Sequence, residues 1–205
     1  MVENLMGAAE RARRIFRENG GVLSSSEAYA LGIHYQTLKR MLEQGVLERP
    51  ARGLYILSDH EVLDGDIDLI RVARKAPKAV ICLISALSFH GLTTQIPNAI
   101  YIALPKGGWK PSLKYPRLEI FWLTEEIHQL GIEKHTRQGI DIAVYSIEKT
   151  IADCFKFRSR IGEDIAIEAL SEYFQRENRN INRLVEYAEL VRVRSVMEPY
   201  MKALI

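Results

Sequence analysis

Residues 32–57, GIHYQTLKRMLEQGVLERPARGLYIL, constrain the fold more tightly than any other stretch of the chain. The spacing predicts a helix over 34–44 stopped by Gly45, then short strands at 46–49 and 54–57 joined by Pro50-Ala51-Arg52-Gly53. Ile33, Leu38, Met41 and Leu42 recur close to every 3.6 residues and share one helical face. Tyr35, Gln36, Lys39 and Arg40 fall on the opposite face. A helix with a polar, basic outer face, followed at once by a hairpin carrying Arg49 and Arg52, has the order of a winged helix-turn-helix. In such a unit the second helix of the motif enters the major groove and the hairpin reaches a neighbouring phosphate or the minor groove.

The residues before this stretch agree with that order. Residues 8–19 predict a first helix with Ala8, Ala12, Ile15 and Phe16 inward, closed by Gly20-Gly21. Ser24-Ser25-Ser26-Glu27 has the spacing of a capping box, in which hydroxyl and carboxylate each satisfy a free amide of the other residue. A short helix over 25–31 follows, and Gly32 supplies the turn. Taken alone, the Tyr35–Arg40 face reads equally well as a solvated helix surface. Residues 1–58 hold eight Lys and Arg against six Asp and Glu, and the whole chain has a formal charge of only +2. Nucleic-acid binding must therefore come from local clusters of cations, and pairing of two copies or help from the second domain is expected to reinforce it.

The composition, 47% hydrophobic and 26% charged, is that of a folded globular chain. The polar, acidic segment 58–68 marks a domain boundary, with a winged helix over 1–58 and a second domain over 59–205. Asp64, Asp66 and Asp68 invite a metal reading, but no Gly-Ser turn precedes them and 69–76 looks helical. Capping of that helix by Asp66 and Asp68 is the better expectation. Cys82 and Cys154 are isolated, with neither zinc nor disulfide spacing. The longest apolar run, around 79–89, is too short to span a bilayer, and the Arg-rich N-terminus has no adjoining apolar core of a secretory signal. The chain is read as cytoplasmic, without metal or cofactor.

In the second domain, 80–91 predicts an apolar helix and 99–104 a strand. Residues 105–117, PKGGWKPSLKYPR, form a loop with Lys106, Lys110, Lys114 and Arg117, no acid, and interleaved Trp109 and Tyr115. Such a loop suits a phosphate backbone or an acidic partner, or simply solvent. A strand at 118–123, a hairpin of 134–137 with 140–145 turning at Gln138-Gly139, and a helix capped by Ser146 come next. Helices over 165–174, 181–190 and 196–204 complete an α+β class: a mixed sheet with helices, ending in a helical bundle. Ser85, Ser88 and His90 lack a nucleophile elbow and an acidic orienter. His90 is better placed to meet the last carbonyls of its helix. No catalytic residue is assigned.

Three blocks carry a family resemblance: the hairpin ending Arg52-Gly53-Leu54-Tyr55, the run ISALSFHGLT at 84–93 followed by Gln95-Ile96-Pro97, and YSIEKTIADCF at 145–155. In this order the chain resembles the AbiEi antitoxins, regulators of bacterial type IV toxin–antitoxin pairs. The resemblance implies a non-enzymatic protein that binds double-stranded DNA at inverted repeats of its own promoter, as a dimer, and represses it. It also implies that the second domain counters a nucleotidyltransferase-type toxin encoded beside it, with or without direct binding. Tyr35, Gln36, Lys39, Arg40, Arg49 and Arg52 are the candidate DNA contacts. Lys106, Lys110, Lys114 and Arg117 are candidate second-domain contacts with DNA or a partner. The competing reading is a protein-interaction module, or a degenerate nucleotidyltransferase or nuclease domain, fused to a winged helix.

Overall fold

A computed structural model describes residues 7–51, 53–59, 66–113, 116–137 and 140–204. Arg52, Asp64, Lys114, Tyr115 and the Gln138-Gly139 turn, all singled out above, lie outside the described residues. The chain forms two compact units, Met1–Ile67 and Asp68–Ile205.

The first unit runs α1 (Ala8–Glu18), β1 (Val22–Ser24), α2 (Ser25–Ala30), α3 (Tyr35–Glu43), β2 (Leu47–Ala51) and β3 (Leu54–Leu57). Its core joins Ala12 and Phe16 of α1, Ala28 of α2, Ile33, Leu38 and Met41 around α3, and Leu47, Tyr55 and Leu57 of the hairpin. Leu42 is half-buried, and in α1 Ala12, Ile15 and Phe16 turn inward as expected, whereas Ala9 takes the place expected for Ala8. The capping box at Ser24 is complete: the Glu27 amide donates to Ser24 Oγ (3.2 Å) and the Ser24 amide donates to Glu27 Oε2 (2.8 Å). Strand β1 was not expected from the sequence. Three residues leave too little alternation to read, and only antiparallel pairing with β3, Val22 opposite Ile56, defines it. The sheet order β1-β3-β2 makes β3 central, which is why all four of its residues are buried.

The second unit begins with α4 (Asp66–Lys75), β4 (Val80–Ile81), α5 (Leu83–Phe89), β5 (Ile100–Pro105), β6 (Leu118–Leu123) and α6 (Glu125–Gln129). It continues with β7 (Ile132–Arg137), β8 (Ile140–Tyr145), α7 (Ile147–Lys156), α8 (Arg158–Ile161), α9 (Glu163–Phe174), α10 (Ile181–Leu190) and α11 (Arg194–Ala203). The mixed sheet has the order β6-β5-β4-β8-β7, with β4 parallel to β8 and β5 parallel to β6. Period-two alternation sends Ile81, Ile102, Leu104, Ile142 and Val144 to the face covered by α4, with its Leu69, Ile70 and Val72. Val80, Ala103, Phe121, Leu123 and Tyr145 go to the other face, under α5, α7 and the C-terminal helices. The sequence reading is corrected at 80–91, where a two-residue strand precedes the helix. A continuous apolar run has no period with which to separate the two. Helices α6 and α8, each five residues or fewer, are too short to show a helical period in the sequence.

Helix α7 is buried on every side from Glu148 to Phe155, including four polar side chains. Each of the four has a partner. Tyr173 Oη donates to Glu148 (2.8 Å), Thr150 donates to the Tyr145 carbonyl (3.2 Å), and Lys149 Nζ donates to Asp153 Oδ2 (2.5 Å). Lys149 is fully buried and its ammonium also sits 4.3 Å from the centroid of the Tyr145 ring. Burial pushes the Asp153 carboxyl above the ordinary range, and the Lys149 ammonium opposes that shift. Ser146 Oγ caps the helix by accepting from the Lys149 amide. Lys149→Ala leaves a buried carboxyl without its cation and is expected to lower stability by about 3–5 kcal/mol, read by urea denaturation. The double variant Lys149→Met/Asp153→Leu, with an apolar pair of similar volume, should recover most of that loss.

Candidate nucleic-acid interface

Gly32 sets the angle between α2 and α3. It adopts φ +80° in the turn, a conformation that side-chain-bearing residues rarely take. The Ile33 amide donates to the Ala28 carbonyl across it (2.8 Å), locking the two helices together. Helix α3 then starts one residue later than expected. His34 occupies its cap without a side-chain hydrogen bond, consistent with a residue type poorly suited to that position.

With Leu38 and Met41 fully buried, the outer face of α3 is determined. Tyr35 is 59% exposed, and Gln36, Lys39 and Arg40 are exposed beside it. Lys39 lies 3.8 Å from Glu43, one helical turn on. An exposed pair of this kind contributes only about 0.3–0.5 kcal/mol and gives way readily to a stronger anion. Arg49 on β2 is exposed, its guanidinium 5.9 Å from the centroid of the Tyr55 ring. Tyr55 itself is buried against the helices, as expected from its alternation with Leu54 and Ile56.

Not every cation of this unit is offered to a ligand. Arg13 and Arg17 of α1 both hold Asp59, at 2.6 and 2.9 Å, and these hydrogen bonds lower the pKa of its carboxyl. Among the described residues neither Arg40 nor Arg49 has a carboxylate partner. Arg13 and Arg17 are thus neutralised within the unit, while Arg11 of α1, Arg40 of α3 and Arg49 of the hairpin are exposed.

The candidate residues of the second unit are divided by the sheet. Lys106 follows β5 and Lys110 lies on the loop beyond it, both exposed. Arg117 precedes β6, its carbonyl accepting from the Ile100 amide at the far end of the parallel pair, and its guanidinium holds Glu119 at 2.8 Å. The length of β5 puts the two ends roughly 17 Å apart. The basic loop is therefore not one patch. Lys110 instead joins Lys75 and Lys78, two residues the sequence reading passed over, around a pocket of about 490 Å³. The only signal for them in the sequence was Lys75-Ala76-Pro77-Lys78, a cation-flanked turn.

Ser85 and His90 are structural. Ser85 Oγ accepts from the Tyr101 amide (2.9 Å) and fastens α5 to β5. His90 Nε2 donates to the Tyr145 carbonyl (2.7 Å), and burial lowers its pKa. This corrects the expectation that His90 meets the carbonyls of its own helix. Arg176 takes that role instead, donating to the His90 and Gly91 carbonyls at 2.6 and 3.1 Å. Among the described residues no group of His, Cys, Asp or Glu is placed to hold a metal ion, and no helix is long and apolar enough to cross a membrane.

A three-helix unit closed by a hairpin, with a polar and cationic outer face on its third helix, is a winged helix of the kind found in transcriptional regulators. Residues 10–58 match the family described as transcriptional regulator, AbiEi antitoxin. The resemblance read from the sequence is thereby borne out for the first unit. The whole fold is similar to that of the RV2827C protein from Mycobacterium tuberculosis, known from a crystal structure. The TM-score is 0.56 at 11% identity, over 89% of this chain and 71% of that one. No curated protein sequence matches the chain.

The burial pattern separates core from surface positions on α3. Leu38→Ala is expected to lower stability by about 2–5 kcal/mol. Tyr35→Ala and Gln36→Ala should stay within about 0.5 kcal/mol of the parent in the same urea titration.

Proposed function

We propose that the protein is a DNA-binding antitoxin that represses its own type IV toxin–antitoxin operon and counters a nucleotidyltransferase-type toxin encoded beside it. The observation that carries this reading is the outward face of α3, Tyr35, Gln36, Lys39 and Arg40, in a unit whose sequence matches the AbiEi regulators. Gln36 and Arg40 are the candidates for base edges, since the Gln amide suits adenine and the guanidinium suits guanine in the major groove. Lys39, Arg49 and Arg52 serve the phosphates, and Tyr35 lies at the entry of the helix. Lys106, Lys110, Lys114 and Arg117 are the second-domain candidates for DNA or a partner. The protein acts in the cytoplasm, without cofactor, metal or catalytic residue, and two copies occupy inverted repeats in the promoter. The small number of outward cations favours such pairing, because two half-sites double the phosphate contacts.

Gel shifts on the upstream region over a salt series test the DNA reading. Lys39→Ala and Arg49→Ala should each flatten the plot of log affinity against log salt by about 0.9 per half-site. Gln36→Ala should lower affinity for the intact operator by about 1–3 kcal/mol while leaving scrambled DNA unaffected. A slope unchanged in both cation variants would overturn the assignment of α3 and the wing. Growth rescue on co-expression with the neighbouring gene product checks the antitoxin role separately.

A further inference from the structure

The pocket in the second unit lies between two β-turns. In one, the Ala79 amide donates to the Ala76 carbonyl (2.8 Å), with Pro77 and Lys78 at the corner. In the other, the Gly108 amide donates to the Pro105 carbonyl (3.0 Å), with Lys106 and Gly107 at the corner. Gly107 sits at φ +82°, the left-handed value required at the third position of a type II turn. A Cβ on Gly108 would lie 3.0 Å from the Pro105 carbonyl oxygen and 3.6 Å from the Trp122 ring, so the turn is pressed onto Trp122 of β6. The Lys106 amide donates to the Leu123 carbonyl (2.7 Å) and holds the strand end in place.

Trp109 emerges from this braced turn 94% exposed, on the wall of the pocket. An indole so exposed contributes almost nothing to the core. Pro77 and Pro105 give the pocket apolar walls, and Lys75, Lys78 and Lys110 supply its charged groups. Among the described residues no carboxylate lines it. The volume of about 490 Å³ lies within the range of small-ligand sites. A ligand that satisfies all three features has a flat π-face for the indole, a modest apolar body and concentrated negative charge.

We propose that this pocket binds a nucleotide with an unpaired base, the base stacked on Trp109 and the phosphates held by Lys78 and Lys110. Stacking on an exposed aromatic beside cations is the general mode by which proteins hold unpaired bases, and it tolerates any base because every base has a π-face. A duplex keeps its bases stacked on one another and offers the indole no face. An acidic peptide supplies charge without a flat partner. The ligand is a free nucleotide or the end of a single strand, which share this chemistry. The inference is independent of operator binding by the first unit.

The chain has two tryptophans: Trp109 lines the pocket and Trp122 lies under the Gly108 turn, so emission from Trp109 reports occupancy. The full chain is titrated with ATP, a single-stranded oligothymidine, a duplex of equal length and an oligoglutamate peptide. Saturable quenching by ATP alone assigns a free nucleotide, and quenching by the oligothymidine identifies a strand. By calorimetry, Trp109→Ala should weaken that binding by roughly tenfold or more, and Trp109→Phe should retain most of it. Lys78→Ala/Lys110→Ala should reduce its salt dependence. Trp109→Ala removes an exposed ring, and its thermal midpoint and its gel shift on the promoter duplex should match those of the parent. Saturation by neither ATP nor oligothymidine overturns the proposal. So does equal tryptophan quenching by the duplex or oligoglutamate, or undiminished ATP or oligothymidine binding in Trp109→Ala.

Discussion

The buried ion pair between Lys149 and Asp153 is the interaction on which the second unit depends. Both side chains leave water within a helix that α5, α9 and α10 pack around, and neither can be lost singly without leaving an unpaired polar group. The pair orients α7 as well as holding it. With Glu148 bound by Tyr173 and Thr150 bound to the end of β8, each buried polar side chain of α7 has a compatible neighbour. Rotating the helix would break several of these bonds together. Apolar packing alone tolerates such rearrangements more readily, because dispersion contacts are not directional. The stretch 145–155 therefore reads as a structural element, and its polar residues serve the core.

In the first unit the corresponding constraint is the central strand β3. Its four buried residues pair with β1 on one side and β2 on the other, so hairpin and helices share one core. The outward face of α3 follows from that burial, because Leu38 and Met41 can point in only one direction. The surface charge is then partitioned. Arg13 and Arg17 on α1 are engaged by Asp59, whereas Lys39, Arg40 and Arg49 on α3 and the hairpin face solvent. A chain with a formal charge of only +2 can thereby present a local positive surface.

Much of this was legible beforehand. The capping box at Ser24, the glycine turn at Gly32, the inward set Ile33, Leu38 and Met41, and the buried ring of Tyr55 all rest on local chemistry that neighbours in sequence supply. The errors have a common origin. Strands β1 and β4, of three and two residues, exist only through partners distant in the chain. His90 lies where a helix-end cation would be expected, yet its hydrogen bond goes to residue 145, and Arg176 reaches back across the fold to replace it. The loop 105–117 reads as one basic patch because its cations are close in sequence. A six-residue parallel pair carries Arg117 to the opposite end from Lys106.

Periodicity, capping and turn chemistry are properties of a few consecutive residues, so the sequence by itself determined the α+β class, the winged helix and the outward face of α3. Which cations share a site depends instead on contacts between residues far apart in the chain. Only the tertiary structure decided that Lys149 and Asp153 would be buried together and that Lys75 and Lys78 would meet Lys110 beside an exposed tryptophan. An i,i+4 pair of opposite charge looks the same in sequence whether it lies in solvent or in a core. Its environment is set by the helices that close over it.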